Sequence, residues 1–382
     1  MAQGADRQGR ARARGRADMT PLPAGSTIGI IGGGQLGRML AMSAAKLGYR
    51  TVILEPQADC PAAQVANRQI VAAYDDPAAL DELAAASDVI TYEFENVPVA
   101  AATRLASRKP VFPPPMALEV SQDRVTEKMF LNSIGVATAR FAGIDSDADL
   151  IGALASLGGA GVLKTRRMGY DGKGQRVLDR PAPETLAGTF QAMGEVALIL
   201  EQFVPFHSEI SVIAARGKDG TVTSYDPAVN VHRSGILHTS TVPGQVSPAQ
   251  SKAARDIAGM ILEKLDYVGV IGVEFFIADN GDLLVNEIAP RVHNSGHWTE
   301  AACAVSQFDQ HIRAVVGLPL GDGGRHSDCV MENLIGDDID RVSALTAEAD
   351  VVVHLYGKAQ ARPGRKMGHF TRLKRLSGSP TP

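Results

Sequence analysis

Residues 272–288 read GVEFFIADNGDLLVNEI, two apolar, β-prone runs on either side of Asn280-Gly281. An Asn-Gly pair between such runs predicts a two-residue type I′ hairpin, because both central residues of that turn need positive φ. With Asn280 and Gly281 as the turn, Asp279 faces Asp282 and Glu274 faces Glu287. Like charges directly opposed across an antiparallel pair repel and weaken a sheet. A bound cation removes the conflict, and Mg²⁺ favours sites of one or two carboxylates completed by substrate phosphates. The alternative is a solvated face that tolerates both glutamates. Val273, Phe275, Phe276, Val285 and Ile288 argue against it, since they mark the hairpin as part of a core.

A chain of 382 residues has room for two or three domains. Its formal charge of -4 gives no basic excess, so nucleic acid is not expected as a partner. No apolar run reaches the length of a membrane span. Cys60, Cys303 and Cys329 are few and widely spaced, which fits a reducing cytoplasm and buried thiols better than a disulfide framework. Residues 1–18 carry five arginines and no apolar segment, so they are not a secretory signal. They read as a disordered extension, with residues 1–25 outside the fold and Met19 as an alternative start.

Thr27–Ile31 reads as a buried strand and runs directly into Gly32-Gly33-Gly34-Gln35-Leu36-Gly37. A helical pattern over Arg38–Gly48 and a strand over Thr51–Leu54 ending in Glu55 follow. This is a G-x-G-x-x-G turn with a downstream acid, which on its own predicts a dinucleotide pyrophosphate at the helix N-terminus. Ile70–Ala73, a helix over Pro77–Ala86 and Val89–Tyr92 extend the alternation to an open parallel sheet with helices on both faces. Glu93-Phe94-Glu95-Asn96 lies at its carboxyl edge, where such sheets bind ligands. Residues 110–115, PVFPPP, mark a boundary.

Beyond it, a helix over Asp123–Ile134 and another over Leu150–Leu157 precede Gly161–Thr165, a strand that carries Lys164 near its end. The loop RRMGYDGKGQ, residues 166–175, combines three glycines with three cations, a composition suited to phosphate oxygens. Val196–Leu200 reads as a strand continuing into Glu201-Gln202-Phe203-Val204, with Glu209–Ile213 expected in the same sheet. Ala253, Ile257, Ile261 and Leu265 give an amphipathic helix over 249–265. Residues 288–298, IAPRVHNSGHW, gather Arg291, His293 and Asn294 as anion and polar-substrate contacts. Val330–Leu334 and Val351–Tyr356 read as strands of a last small unit, closed by Lys358 and ARPGRKMGH.

In this order the pieces resemble the ATP-grasp enzymes, and more narrowly the family of 5-(carboxyamino)imidazole ribonucleotide synthases. The motifs that carry the resemblance are GGGQLGRML, PAAQVAN, YEFENVP, QDR-x-x-EK-x-FL, RRMGYDGKGQ, EQFVPFHSEISVI, NEIAPRVHNSGHWT and ARPGRKMGH, spread over about residues 28–370. Glu55-Pro56 stands where that family usually has Asp-Pro, and the basic tail has no family counterpart.

The resemblance implies an α/β and α+β chain: a Rossmann-like pre-ATP-grasp domain over 26–120 and an ATP-grasp domain over 121–318. Within the latter, a lid subdomain spans about 140–203, and a small β-rich C-terminal domain covers 319–382. It also implies a reaction of purine (IMP) biosynthesis, in which ATP turns bicarbonate into carboxyphosphate, which carboxylates the amine of aminoimidazole ribonucleotide. The enzyme would be a Mg²⁺-dependent ligase, homodimeric and cytoplasmic.

By resemblance, Arg124 and Lys164 touch the ATP phosphates under a loop formed by Gly169, Tyr170, Asp171, Gly172, Lys173, Gly174 and Gln175. Glu201, Gln202, Phe203 and Val204 form the adenine hinge, Glu209 binds the ribose, and His232 lies nearby. Glu274 and Glu287 hold Mg²⁺ with Asn286 close by, although plain strand alternation puts Asn286 on the face opposite Glu287. Gln35, Glu93, Tyr170, Asp171, His293 and Asn294 take the acceptor, and Lys358 and Arg365 grip its 5′-phosphate. Asp171, Lys173, Arg291, His293 and Asn294 are the catalytic set, with Arg291 on bicarbonate or carboxyphosphate. Asp171 either orients the amine or takes its proton.

Three other readings remain at this stage. An ATP-grasp ligase for another acceptor keeps the fold but leaves Gln35, residues 93–96 and the Lys358/Arg365 pair without a purpose. A nicotinamide-dependent oxidoreductase built on residues 32–37 and Glu55 leaves Lys164, the loop and the carboxylate hairpin unexplained. A nucleotide-binding regulator predicts an incomplete ion-binding pair, whereas both glutamates are present.

Overall fold

The computed structural model describes residues 20–169 and 174–376. The N-terminal tail and the loop residues Tyr170, Asp171, Gly172 and Lys173 lie outside the described residues.

The first sheet comprises β1 (Thr27–Ile31), β2 (Arg50–Leu54), β3 (Arg68–Ile70) and β4 (Val89–Tyr92), all parallel in the order β3-β2-β1-β4. Its strands are buried on both faces because helices cover both. Ile28 and Ile30 join Met39 and Leu40 of the helix Gln35–Lys46 in one core cluster, whereas Ile31 joins Leu80 and Leu83 of the helix Pro77–Ala86 in another. The expected strand over Ile70–Ala73 instead ends at Ile70.

The second sheet comprises β5 (Phe141–Ile144), β6 (Ala160–Thr165), β7 (Gln175–Asp179) and β8 (Leu198–Gln202), antiparallel in the order β5-β8-β6-β7. It encloses a small leucine core of its own.

The third sheet has nine antiparallel strands: β9 (Phe206–Arg216), β10 (Val222–Ser224), β11 (Ala228–Arg233), β12 (Ile236–Val242), β13 (Gly269–Ala278), β14 (Leu283–Ala289), β15 (Asp328–Ile335), β16 (Val351–Leu355) and β17 (Lys366–Lys374). Their order is β14-β13-β9-β11-β12-β15-β17-β16, with β10 paired to β9. One expectation fails here. Glu209–Ile213 belongs to this sheet and not to that of β8, so residues 203–205 cross from one sheet to the other. The last strands continue the large sheet, and β17, for which no separate strand was expected from the sequence, pairs with both β15 and β16.

The helix Pro248–Lys264 covers this sheet with Ala254, Ala258, Ile261 and Leu262 buried. The expected stripe was rotated at its start, since Ala253 is exposed. A capping box of Ser247 and Gln250 fixes its first turn.

The β13–β14 hairpin departs from the two-residue turn in an informative way. Ala278 opposes Asp282, joined by the Ala278 N–H to Asp282 carbonyl bond at 2.9 Å, so the loop has three residues, Asp279, Asn280 and Gly281. Only Gly281 takes positive φ (88°), as a three-residue loop with its glycine in the left-handed position requires. Asp279 therefore does not face Asp282. Near the turn the register pairs Phe276 with Leu284 and Phe275 with Val285, yet Glu274 still pairs with Glu287. The extra residue is Asn286, a β-bulge that restores the opposition of the two glutamates.

Candidate active site

A cleft of about 520 Å³ opens between the second and third sheets and the first domain. The bulge determines what it contains. Val285 and Ile288 point into the core, while Asn286 and Glu287 both line the cleft beside Glu274 and Phe276. Alternation had placed Asn286 on the opposite face; the bulge overrides it. Its Oδ1 is buried without a hydrogen-bond partner.

The helix Arg124–Ser133 grips this bulged segment at three points. Arg124 donates to Glu287 Oε2 at 2.9 Å, Glu127 accepts from the Ile288 N–H at 2.7 Å, and Lys128 donates to the Asn286 carbonyl at 3.0 Å. Asp123 caps that helix and also binds Arg166 and Arg167, so these two loop cations are committed to anchoring the hairpin. Glu127 and Lys128 were not among the predicted site residues; the EK within QDR-x-x-EK was their only signal.

The two opposed glutamates are driven apart in acidity. Burial and the Glu287 charge push Glu274 up to about 7. Burial acts on Glu287 too, but the charge and hydrogen bond of Arg124 outweigh it and hold Glu287 down to about 2. Two carboxylates in direct cross-strand register, facing the cleft next to an unpaired amide oxygen, form an oxygen donor set that fits Mg²⁺.

Lys164 lines the cleft from β6 and reaches Glu201 Oε2 at 2.9 Å; the same oxygen lies 3.6 Å from Lys128. Burial would raise the Glu201 pKa, but the Lys128 and Lys164 charges bring it below the usual carboxylate range. Val162, Val177, Phe206, Phe276 and Leu237 give the cleft an apolar lining, with Phe206 stacked on Phe276 at 4.5 Å. Glu209 and His232 border it, His232 Nδ1 standing 2.8 Å from Glu209 Oε2. Burial opposes charging of His232, and Glu209 with Glu274 outweighs it and raises its pKa. Gly169 and Gln175 also line the cleft. Gly174, at φ 69°, accepts the Thr165 N–H with its carbonyl at 2.9 Å and closes the β6–β7 hairpin. Glu201 and Gln202 end β8, and Phe203 and Val204 begin the crossing between sheets; none of the four is in the lining of the cleft.

At the far end, Gln35, Glu95, Arg291, His293, Asn294 and Lys366 meet. Arg291 donates through Nε to Glu95, and that guanidinium, against the effect of burial, holds the Glu95 carboxyl below its ordinary range. His293 Nδ1 meets Ser295 Oγ at 2.8 Å, and Nε2 lies 3.5 Å from Glu274 Oε1. Burial and the Arg291 charge push His293 down to about 3, so its ring is neutral. Asn294 buries both side-chain polar atoms with no partner, a state that a ligand would relieve.

Glu93 does not join this group. Its two oxygens accept the N–H groups of Gly34 and Gly37, and Glu55 accepts that of Gly33 at 2.8 Å. The helix N-terminus that a dinucleotide pyrophosphate would occupy is filled by the chain's own carboxylate, which removes the nicotinamide reading. Glu95, two residues on, lines the cleft instead.

Lys358 and Arg365 are likewise outside the lining. Lys358 donates to the Lys366 carbonyl at 2.7 Å and Arg365 to the Gln360 carbonyl at 3.1 Å, while Lys366 itself lines the cleft.

Comparison with known proteins agrees with this architecture. The ribonucleotide synthetase preATP-grasp domain family matches residues 25–122, the ATP-grasp domain family 129–308, and the phosphoribosylaminoimidazole carboxylase C-terminal domain family 329–377. An N5-carboxyaminoimidazole ribonucleotide synthase of Brucella melitensis biotype 1 is 64% identical over 94% of this chain and 99% of its own. A crystal structure of an ADP complex of N5-carboxyaminoimidazole ribonucleotide synthetase matches with TM-score 0.89 at 40% identity, covering 93% of this chain and 94% of that one. The Aspergillus clavatus N5-carboxyaminoimidazole synthase, in complex with ADP and 5-aminoimidazole ribonucleotide, matches with TM-score 0.86 at 30% identity over 92% of this chain and 94% of that one. The chain therefore belongs to the N5-carboxyaminoimidazole ribonucleotide synthase family of ATP-grasp ligases.

Proposed function

We propose that this chain uses ATP to carboxylate the exocyclic amine of 5-aminoimidazole ribonucleotide with bicarbonate, giving the N5-carboxylated ribotide, ADP and phosphate, in purine biosynthesis. The observation that carries the reading is one cleft that joins Arg124, Lys164 and the Glu274–Glu287 pair to Arg291, His293 and Asn294.

The chemistry divides along the cleft. Phosphoryl transfer is mainly a matter of positioning and charge neutralisation. Arg124 and Lys164 supply fixed positive charge for the polyphosphate, and the apolar lining receives the base. Glu274, Glu287 and the Asn286 amide would hold Mg²⁺, which when bound neutralises phosphate charge. A bicarbonate oxygen attacks the γ-phosphorus and the bond to the ADP oxygen breaks, leaving carboxyphosphate. The amine nitrogen then attacks the carboxyl carbon, the C–O bond to phosphate breaks, and the amine gives up a proton.

Arg291, held by Glu95, faces the anionic intermediate, while neutral His293 and the unpaired Asn294 amide offer polar contacts to the acceptor. Asp171 and Lys173, outside the described residues, remain assigned with Tyr170 and Gly172 to the loop over the site, where excluding water would protect the labile intermediate. Gln35 contacts the ribotide. Lys358 and Arg365 bind its 5′-phosphate, beside Lys366, which lines the cleft. Glu201–Val204 serve as the adenine hinge through their backbone, and Glu209 binds the ribose. The domain limits 26–120, 121–318 and 319–382 belong to the same proposal, as do a homodimeric state and a cytoplasmic location. Three free, buried cysteines suit that location. Among the described residues no helix is long and apolar enough to cross a membrane.

Turnover with ¹⁸O-labelled bicarbonate tests the route. Attack through a bicarbonate oxygen leaves one labelled oxygen in the released phosphate; unlabelled phosphate would rule out carboxyphosphate.

A further inference from the structure

Among the described residues, one group of metal-ligating side chains stands apart from the cleft described above: Glu300, His354 and His369. His354 and His369 are directly opposed on β16 and β17. Glu300 comes from the short helix Thr299–Ala302, which follows the loop bearing Arg291, His293 and Asn294. Glu300 Oε2 lies 3.1 Å from His354 Nδ1 and 3.5 Å from His369 Nε2, and the three donor atoms are all within 4.8 Å of one another. Donors bound about 2.0–2.1 Å from a tetrahedral Zn²⁺ stand roughly 3.3 Å apart, so two edges of the triangle already have the right length.

The surroundings have the features of a metal site. Tyr356 Oη meets His369 Nδ1 at 2.9 Å, so a hydrogen-bond partner is in place to accept the Nδ1–H once Nε2 turns its lone pair to an ion. His297 stacks on His369 at 4.7 Å and His354 stacks on it at 5.4 Å, so both ligand rings are held in place before any ion arrives. The Glu300 and His354 side chains keep 26% and 14% of their exposure, which gives an ion a way in.

We propose that Glu300, His354 and His369 form a second metal site, distinct from the Glu274–Glu287 pair, that takes a divalent transition ion of the Zn²⁺ class. Two imidazoles and one carboxylate suit Zn²⁺ or a similar borderline ion; Mg²⁺ prefers an all-oxygen shell. Water completes the coordination. The ion ties the β16–β17 hairpin to the segment that carries the acceptor-binding loop.

The test is zinc retention by the full chain after EDTA treatment, ZnSO₄ loading and gel filtration in excess Mg²⁺, which keeps the Glu274–Glu287 pair occupied. About one zinc per chain is expected in the wild type, with loss in His354→Ala and Glu300→Gln. Tyr356→Phe, a buried change of nearly equal volume, should weaken zinc binding about ten- to a hundredfold while leaving the metal-free fold intact by circular dichroism. X-ray absorption of the zinc-loaded wild type should show imidazole scattering and no sulfur, which keeps the test decisive should a variant misfold. Absence of retained zinc in the wild type, retention undiminished in both ligand variants, or a sulfur shell would each overturn the assignment.

Discussion

At the scale of the residue, the site depends on two glutamates facing each other and titrating far apart. On the proposed function Mg²⁺ would need Glu274 ionised, and burial with the Glu287 charge raises the Glu274 pKa to about 7. The sign follows: Mg²⁺ binding strengthens as pH rises towards 7, levels off above it, and weakens about tenfold per unit below it. Calorimetry in buffers of different ionisation enthalpy at pH 6 should show proton release on Mg²⁺ binding. No release there would mean that Glu274 is already ionised.

Glu127 gives a second residue-scale contrast. It is buried, pushed up to about 8 chiefly by burial, and accepts from the Ile288 N–H. Glu127→Gln keeps a neutral acceptor and should cost under about 1 kcal/mol. Glu127→Ala leaves that N–H unpaired beside a cavity and should cost about 2–4 kcal/mol by denaturant unfolding. Equal losses in the two variants would show that the hydrogen bond is not what matters.

At the scale of the element, the β13–β14 hairpin shows how far the sequence could be read. Apolar alternation and Asn280-Gly281 were enough to locate both strands and to put Glu274 opposite Glu287. The route to that pairing was misread, because a three-residue loop and a bulge shift the register in opposite senses and cancel at the glutamates. A bulge has no signature in hydrophobic periodicity, so alternation alone put Asn286 on the wrong face and only the family resemblance put it beside the glutamate pair. Removing it makes a prediction: deletion of Asn286 gives an unbulged strand in which Glu287 and Ile288 cannot both keep their faces. Mg-ATP turnover should be lost with the helix and strand content retained. Glu287→Gln, which keeps the bulge, should lower turnover by at least about a hundredfold through loss of charge alone.

Glu93 illustrates another limit. An acid at the carboxyl edge of a parallel sheet looks like a ligand contact, and only the three-dimensional path of residues 32–37 reveals that its oxygens serve Gly34 and Gly37. Strong local patterns such as Pro77–Ala86 and Val89–Tyr92 were read to the residue, since they depend on neighbours in sequence. The sheet membership of Glu209 and the whole of β17 depend on distant partners and were not readable.

At the scale of the whole molecule, three sheets meet around one cleft, each bringing a different part of the chemistry. The first domain supplies Gln35 and Glu95, β6 and its loop supply Lys164 and Gly169, and the large sheet supplies the glutamate pair and residues 291–294. The same sheet runs on through β15, β17 and β16, so the basic C-terminal segment is built onto the floor of the site and Lys366 reaches into it. On the proposed function acceptor and nucleotide share this one cavity, and the ribotide should therefore control ATP use.

The most direct measurement is ADP release with saturating Mg-ATP and bicarbonate, in the presence and absence of 5-aminoimidazole ribonucleotide. The account predicts strong stimulation by the ribotide, with a carboxylated product formed in step with ADP. ADP release indifferent to the ribotide would contradict the assigned acceptor, and no ATP turnover under either condition would contradict the reading of the cleft itself.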